Sequence, residues 1–255
     1  SGQHRSYTAR REYAAWKGCS MNTHLPNYAS RPLRAVFFDL DGTLVDSAPD
    51  IATAVNELMA AYGQESHTLS TVRSMIGGGM GKLVERAFAA HGVVLSIQNF
   101  RERRDRMVDI YARNLTRLTT VRPGALWAVS AARAAGLKTG VVTNKPEGFS
   151  RIILSHFGLH KELDLVIGGD SGYPKKPAPE MLYAACGTCH CDVDEAVLVG
   201  DSPADVMAAK AAGMPCVVVK GGNSNVPVEE LEADQVIDNL ECIHAIFVGS
   251  GRKAS

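Results

Sequence analysis

From Leu33 onward, short runs of apolar, often β-branched residues alternate with stretches whose apolar positions recur every three or four residues. The runs Ala35–Asp39, Lys138–Thr143, Leu163–Gly168, Ala196–Gly200, Pro215–Val219 and Gln235–Ile237 predict strands, being short and bounded by turn residues. Their near-continuous apolar character implies burial on both faces, the habit of parallel strands. Gly124–Ala135, Glu147–Phe157, Pro179–Ala185 and Pro203–Ala212 carry the helical period between the later strands. Gly136, Gly158 and Gly213 follow three of them, where a left-handed residue ends a helix. The alternation predicts an α/β fold, a doubly wound and mainly parallel sheet with helices on both faces.

The rhythm breaks between Asp39 and Lys138, where no run reads as a strand. Ile51, Val55, Leu58, Met59 and Tyr62 share one helical face there, and Phe100, Met107, Tyr111 and Leu115 share another. An inserted helical subdomain over 49–120 is expected, within a Rossmann-like core made of 33–48 and 121–248. The stretch up to about Arg34 holds Arg5, Arg10, Arg11, Lys17, Arg31 and Arg34 against Glu12 alone, and no apolar h-region follows. Residues 1–32 therefore read as a poorly ordered extension, with organelle targeting as the other reading, and 249–255 as a tail.

Composition narrows the partners. With 255 residues, 45% hydrophobic and 21% charged, the chain is long enough to bury a large core. Lys plus Arg and Asp plus Glu both number 27, so no net field draws it to nucleic acid or anionic lipid. The arginines between 101 and 117 have acids four residues away, as Arg101/Asp105, Glu102/Arg106 and Asp109/Arg113, and read as a solvated helix face. No apolar run approaches the roughly 20 residues that cross a bilayer. Six cysteines stand at 19, 186, 189, 191, 216 and 242, and Cys216 within Val217-Val218-Val219 reads as a buried free thiol. That usage suits a reducing compartment, and the expected location is the cytoplasm. A monomer or a homodimer is equally compatible with the sequence.

Candidate chemistry starts at Phe38-Asp39-Leu40-Asp41-Gly42-Thr43-Leu44-Val45-Asp46-Ser47. Asp39 ends a strand, so its carboxylate emerges at the carboxyl edge of the sheet, where open α/β folds bind ligands. Gly42 permits a tight turn that brings backbone N–H groups to an anion. Two carboxylates at this spacing suit a nucleophile and a proton donor, although Asp and Gly also simply make turns. The whole string resembles the first motif of the haloacid dehalogenase superfamily, and the others follow in order. Val141-Val142-Thr143-Asn144 is similar to the second, Lys175-Lys176-Pro177-Ala178-Pro179-Glu180 to the third, and Val197-Leu198-Val199-Gly200-Asp201-Ser202-Pro203-Ala204-Asp205 to the fourth. The resemblance runs from about Leu33 to Ile246.

The resemblance implies roles for individual residues. Asp39 would attack phosphorus and carry an aspartyl-phosphate, while Asp41 would protonate the leaving alcohol and then deprotonate the hydrolytic water. Mg²⁺ would be held by Asp39, the backbone carbonyl of Asp41 and Asp201. Gly42, Thr43, Thr143, Asn144 and Lys176 would hold phosphate oxygens, with Lys175 as the adjacent choice for the lysine. Ser202, Pro203 and Asp205 read as a capping box, so Asp205 would cap a helix and support the metal ligands. A carboxylate at Asp41 points to phosphatases and phosphomutases rather than dehalogenases. The inserted helices resemble the cap of the helical-cap branch. Ile76-Gly77-Gly78-Gly79, Thr143-Asn144-Lys145-Pro146 and Gly168-Gly169-Asp170 resemble phosphoglycolate phosphatases in particular. The expected substrate is thus a small phosphate ester, 2-phosphoglycolate, with sugar phosphates such as N-acetylmuramic acid 6-phosphate as the alternative. The glycine run either cradles the substrate carboxylate or makes a flexible turn. Lys220-Gly221-Gly222-Asn223 departs from the aromatic–glycine loop common in that group. Cys186-Gly187-Thr188-Cys189-His190-Cys191 carries a haem-attachment string and soft zinc ligands, which makes a redox or metal-binding module the rival from another class.

Overall fold

A computed structural model describes residues 32–243 together with 246 and 247, so the expected C-terminal tail and, apart from Pro32, the expected N-terminal extension lie outside the described residues. In chain order the strands are β1 (Ala35–Phe38), β2 (Val45–Asp46), β3 (Thr120–Val121), β4 (Lys138–Val142), β5 (Leu165–Ile167), β6 (Ala196–Gly200), β7 (Cys216–Val219) and β8 (Gln235–Ile237). The helices are α1 (Ala48–Ala61), α2 (Leu69–Met75), α3 (Gly79–Ala89), α4 (Ile97–Ala112), α5 (Ala125–Ala134), α6 (Glu147–His156), α7 (Glu180–Cys189) and α8 (Pro203–Ala212).

Six strands form a parallel sheet in the order β5-β4-β1-β6-β7-β8. Side chains of successive residues point to opposite faces. Val36 and Phe38 join one buried cluster, and Ala35 and Phe37 join the other. Both faces are covered, as the apolar runs imply. Phe38 lies between Val141 of β4 and Val199 of β6, so these three strands end at one edge. Asp39, Thr143 and Asp201 follow directly.

The inserted segment departs from expectation in one respect. β2 and β3 form an antiparallel ribbon, with Val45 opposite Val121 and Asp46 opposite Thr120, where the sequence shows no strand. Two residues per strand are too few to display a period. Helices α1 to α4 lie between these strands, with α1 packed on α2 and α4, and α3 packed on α4. Ile51, Val55, Leu58, Met59, Met107, Tyr111 and Leu115 are buried, as their spacing predicts.

The arginines of α4 are used differently from the expected ladder. Arg113 pairs with Glu57 of α1 at 2.5 Å, and Arg104 with Asp105 at 2.7 Å. Glu102 accepts a hydrogen bond from the Tyr62 hydroxyl at 2.9 Å, and Arg103 lies 4.3 Å from the centre of the Tyr62 ring. None of the three expected i,i+4 pairs is among the ion pairs of the described residues: Arg113 and Glu102 turn to Glu57 and Tyr62, and Asp105 pairs with the adjacent Arg104. Helix α7 also runs on to Cys189 instead of ending at Ala185, because Cys186 and Cys189 continue its buried face. Among the described residues, no helix is long and apolar enough to cross a membrane.

Candidate active site

The edge where β1, β4 and β6 end gathers three acids and a lysine. Carboxylate oxygens of Asp39, Asp201 and Asp205 lie within 4.8 Å of one another. Lys176 Nζ stands 3.0 Å from Asp39 Oδ1, 2.6 Å from Asp205 Oδ1 and 2.8 Å from the Val142 carbonyl oxygen. Lys175 is exposed, so the structure settles which lysine reaches the acids. Burial disfavours charge on Lys176, but Asp205 and Asp39 outweigh it and hold the ammonium well above the usual lysine range.

Asp205 is committed to structure. Its Oδ2 accepts from the Ser202 hydroxyl at 2.7 Å and the Ser202 backbone N–H at 3.1 Å, completing the capping box of α8. Asp201 sits deeper. Thr43 Oγ1 donates to Asp201 Oδ1 at 2.9 Å, and the backbone N–H of Asn223 donates to Oδ2 at 2.6 Å. Two glycines make room for it. A Cβ on Gly42, whose φ is +92°, or on Gly222 would lie 2.2 Å from Asp201 Oδ2.

Burial and the neighbouring acids push Asp201 up to about 8. Burial also raises Asp39, to about 6, with Lys176 opposing the rise. Buried oxygen donors that are short of positive charge suit a hard divalent cation. Asp39 and Asp201 therefore fit Mg²⁺, and Asp205 stands behind them with its oxygens occupied.

Asp41 points into a different set of partners. Ser47 Oγ donates to Oδ1 at 2.5 Å, and Lys145 Nζ lies 2.9 Å from Oδ2. Thr143 Oγ1 accepts from the Lys145 backbone N–H at 3.3 Å. Asn144 Nδ2 donates to the carbonyls of Gly77 and Lys176 at 2.8 Å each, so its amide joins the glycine run to the sheet edge. Asn144 and Thr43 thus spend their side-chain donors on protein oxygens here, whereas the motif resemblance gives them to phosphate. A cavity of about 30 Å³ separates Asp39, Asp41 and Lys145 from Ile76, Met80 and Leu83 of the inserted helices.

The structure adds residues that sequence reasoning left out. Lys145 adjoins the second motif, but its partner Asp41 is remote in sequence. Ser47 ends the first motif string, and its hydroxyl gives no sign of its acceptor. Gly222 and Asn223 lie in the loop that departs from the phosphoglycolate phosphatase pattern, yet they shape the seat of Asp201. Arg73, on α2, reaches Asp46 and Asn223.

The model of the haloacid dehalogenase-like hydrolases matches residues 36–219. This chain belongs to that family. A phosphoglycolate phosphatase of Rhodospirillum rubrum is 41% identical to it over 211 residues, which cover 81% of this chain and 88% of the relative. Another, from Cereibacter sphaeroides, is 43% identical over 197 residues, covering 77% and 89%. The crystal structure of a predicted phosphoglycolate phosphatase from Haemophilus somnus matches with a TM-score of 0.79 and 30% identity, over 84% of this chain and 97% of that one. As a member of this family, the protein is a phosphoric monoester hydrolase acting on small phosphate esters.

The Cys186–Cys191 string forms no metal-capable grouping among the described residues. Among the described residues, the grouping able to hold a metal is Asp39, Asp201 and Asp205, and no cysteine joins it. Cys186 and Cys189 are buried free thiols packed on the face of the sheet formed by Leu198 and Cys216.

Proposed function

We propose that the protein hydrolyses 2-phosphoglycolate to glycolate and phosphate, with Asp39 as nucleophile and Asp41 as proton donor and acceptor. The observation that carries this reading is the division of labour between the two acids. Asp39 shares the buried cluster with Asp201 and Lys176, while Asp41 is held apart by Ser47 and Lys145. An Asp39 oxygen attacks phosphorus as the bond to the leaving oxygen breaks, and Asp41 delivers its proton to that oxygen. Asp41 then takes a proton from water, whose oxygen attacks phosphorus and releases phosphate and Asp39. When bound at Asp39, Asp201 and the Asp41 carbonyl, Mg²⁺ offsets the charge that otherwise repels nucleophile from phosphate.

The chain's own residues orient the rest. Lys176, 3.0 Å from Asp39, opposes the rise that burial imposes on that carboxyl and holds it in place. Gly42, Thr43, Thr143 and Asn144 line the turn and strand ends against which the phosphoryl group rests, an arrangement suited to positioning rather than to new covalent chemistry. The inserted helices act as a cap, with Ile76, Met80 and Leu83 excluding water above the acids. The run Gly77–Gly79, at the start of α3, receives the glycolate carboxylate. The choice of 2-phosphoglycolate over a hexose phosphate is supported by the relatives of about 40% identity, which are phosphoglycolate phosphatases. The test is kcat/KM for 2-phosphoglycolate against sugar phosphates, including N-acetylmuramic acid 6-phosphate, with Mg²⁺ present. A sugar phosphate favoured by tenfold, about 1.4 kcal/mol of transition-state preference, would transfer the assignment to that substrate.

A further inference from the structure

Lys145 is a buried charge with no part in the steps above. Its side chain is 3% exposed, and burial by itself would favour the neutral amine. It is paired there with Asp41 and lies against the Tyr111 ring. Removing a buried charge pair often costs a fold little, and apolar side chains of similar size frequently serve as well. Retaining one here calls for a purpose beyond packing.

The geometry supplies the purpose. Lys145 Nζ meets Asp41 Oδ2 at 2.9 Å while Ser47 Oγ meets Oδ1 at 2.5 Å, so both oxygens of one carboxylate are held from different elements. The lysine backbone is itself anchored: its N–H is given to Thr143 Oγ1, and its carbonyl accepts from the Gly169 N–H at 2.8 Å. Above it lies Tyr111 from α4, whose ring centre is 4.7 Å from Nζ, within the range at which a ring face attracts a cation. Tyr111 is fully buried against Phe149 of α6, with ring centres 5.7 Å apart. The chain of contact runs from the inserted helices through Tyr111 and Lys145 to Asp41.

We propose that Lys145 is a positioning residue for proton transfer, fixing with Ser47 the orientation of the Asp41 carboxylate, and that Tyr111 steadies Lys145 from the cap. This rests on Asp41 being the acid and base of the reaction. Lys145 then affects only the steps in which Asp41 moves a proton. It does not bind the substrate's second anionic group.

The test uses the full chain with Mg²⁺, 2-phosphoglycolate, and two esters that lack a second anion, ethyl phosphate and 4-nitrophenyl phosphate. Lys145→Met should lower kcat for ethyl phosphate about a hundredfold, within the range that general acid–base catalysis contributes, with KM changed less than twofold. The first burst of 4-nitrophenolate should survive, because that leaving group needs no proton, while the following steady state slows. In an Asp41→Asn background, Lys145→Met should cost less than threefold more in residual turnover, since both changes remove one function. Lys145→Arg should restore part of kcat, and Tyr111→Leu should reproduce a weaker form of the same pattern. Thermal unfolding of each variant identifies any loss due to misfolding, and Lys145→Arg carries the test if the methionine variant unfolds. Additive losses in the double variant would overturn the proposal. So would a KM increase confined to 2-phosphoglycolate, which would make Lys145 a direct ligand of the substrate carboxylate. Near wild-type turnover in Asp41→Asn alone would instead overturn the parent reading.

Discussion

Arg73 grips Asp46 through both carboxylate oxygens, at 2.9 and 3.0 Å, and the same guanidinium reaches Asn223 Oδ1 at 3.0 Å. Asp46 belongs to the ribbon, Arg73 to the inserted helices, and Asn223 to the loop that donates to Asp201. One planar group thus ties the inserted helices, the β2–β3 ribbon and the loop beside Asp201 together. Burial works against ionisation of Asp46, but the hydrogen bonds from Arg73 prevail and hold the carboxyl below its usual range.

Replacing the fork should loosen that tie. Arg73→Lys keeps the charge but cannot span both oxygens and Asn223 at once. We expect kcat/KM to fall roughly tenfold while the unfolding temperature changes little, because the charge is kept and only the fork geometry of a half-buried pair is lost. Asp46→Asn should show a similar loss, and the double variant should be no worse than either. Steady-state assays of the three variants check this, and full additivity would mean the two residues act separately.

Asp39→Asn should abolish phosphate release, because an amide neither attacks phosphorus nor binds a hard cation as a carboxylate does. The comparison must be made on protein free of contaminating phosphatase. Turnover near wild type would rule out Asp39 as nucleophile.

Stability and metal binding should be linked through pH. The carboxyls of Asp39 and Asp201 are raised to about 6 and about 8, so the native state holds protons that the unfolded chain has already released. Between the ordinary carboxylate range and about pH 8, the metal-free protein should therefore lose stability as pH rises. Mg²⁺ needs both groups ionised, so its binding should release protons below about pH 8 and tighten as pH increases. Calorimetric titration in buffers of different ionisation enthalpy measures that release, and thermal unfolding without metal measures the first effect. A metal-free unfolding temperature that stays flat from pH 4 to 8 would contradict the expectation.

The thiols of α7 should be dispensable for chemistry. Replacing Cys186, Cys189 and Cys191 together with Ser should leave kcat/KM and the Mg²⁺ requirement nearly unchanged. The cost should appear in stability, about 1–3 kcal/mol, because Cys186 and Cys189 are buried and their replacements bring hydroxyls without assured partners. Denaturant unfolding gives the one quantity and steady-state kinetics the other. Loss of activity in folded triple variant would revive a role for the cluster.

What the chain discloses in advance follows from the range of each interaction. Parallel strands buried on both faces must be apolar throughout, so β1, β4, β6 and β7 are visible as runs, and the acids at their ends stand out by contrast. The capping box at Ser202 and Asp205 is local, and it forms as its spacing predicts. The ribbon of β2 and β3 is only two residues deep. Ser47, Arg73, Lys145 and Asn223 acquire their meaning from partners brought together by folding, and nothing in their immediate neighbours announces those partners. The extension of α7 past Gly187 and Thr188 has the same origin: packing of Cys186 and Cys189 against the sheet outweighs a weak local preference to stop.

The ribbon has a consequence for how such an enzyme changes over time. Because Asp46 and Thr120 face each other across β2 and β3, the inserted helices leave and rejoin the sheet at neighbouring points. To the sheet, the whole insertion is a loop with its ends pinned together, and lengthening or shortening such a loop changes its closure entropy only slowly. Residues that meet the alcohol half of the substrate can thus be exchanged without moving the strand ends that carry Asp39 and Asp201. The insertion can diverge around its few fixed contacts to the core, Tyr111 and Arg73 among them, while the strand ends stay as they are.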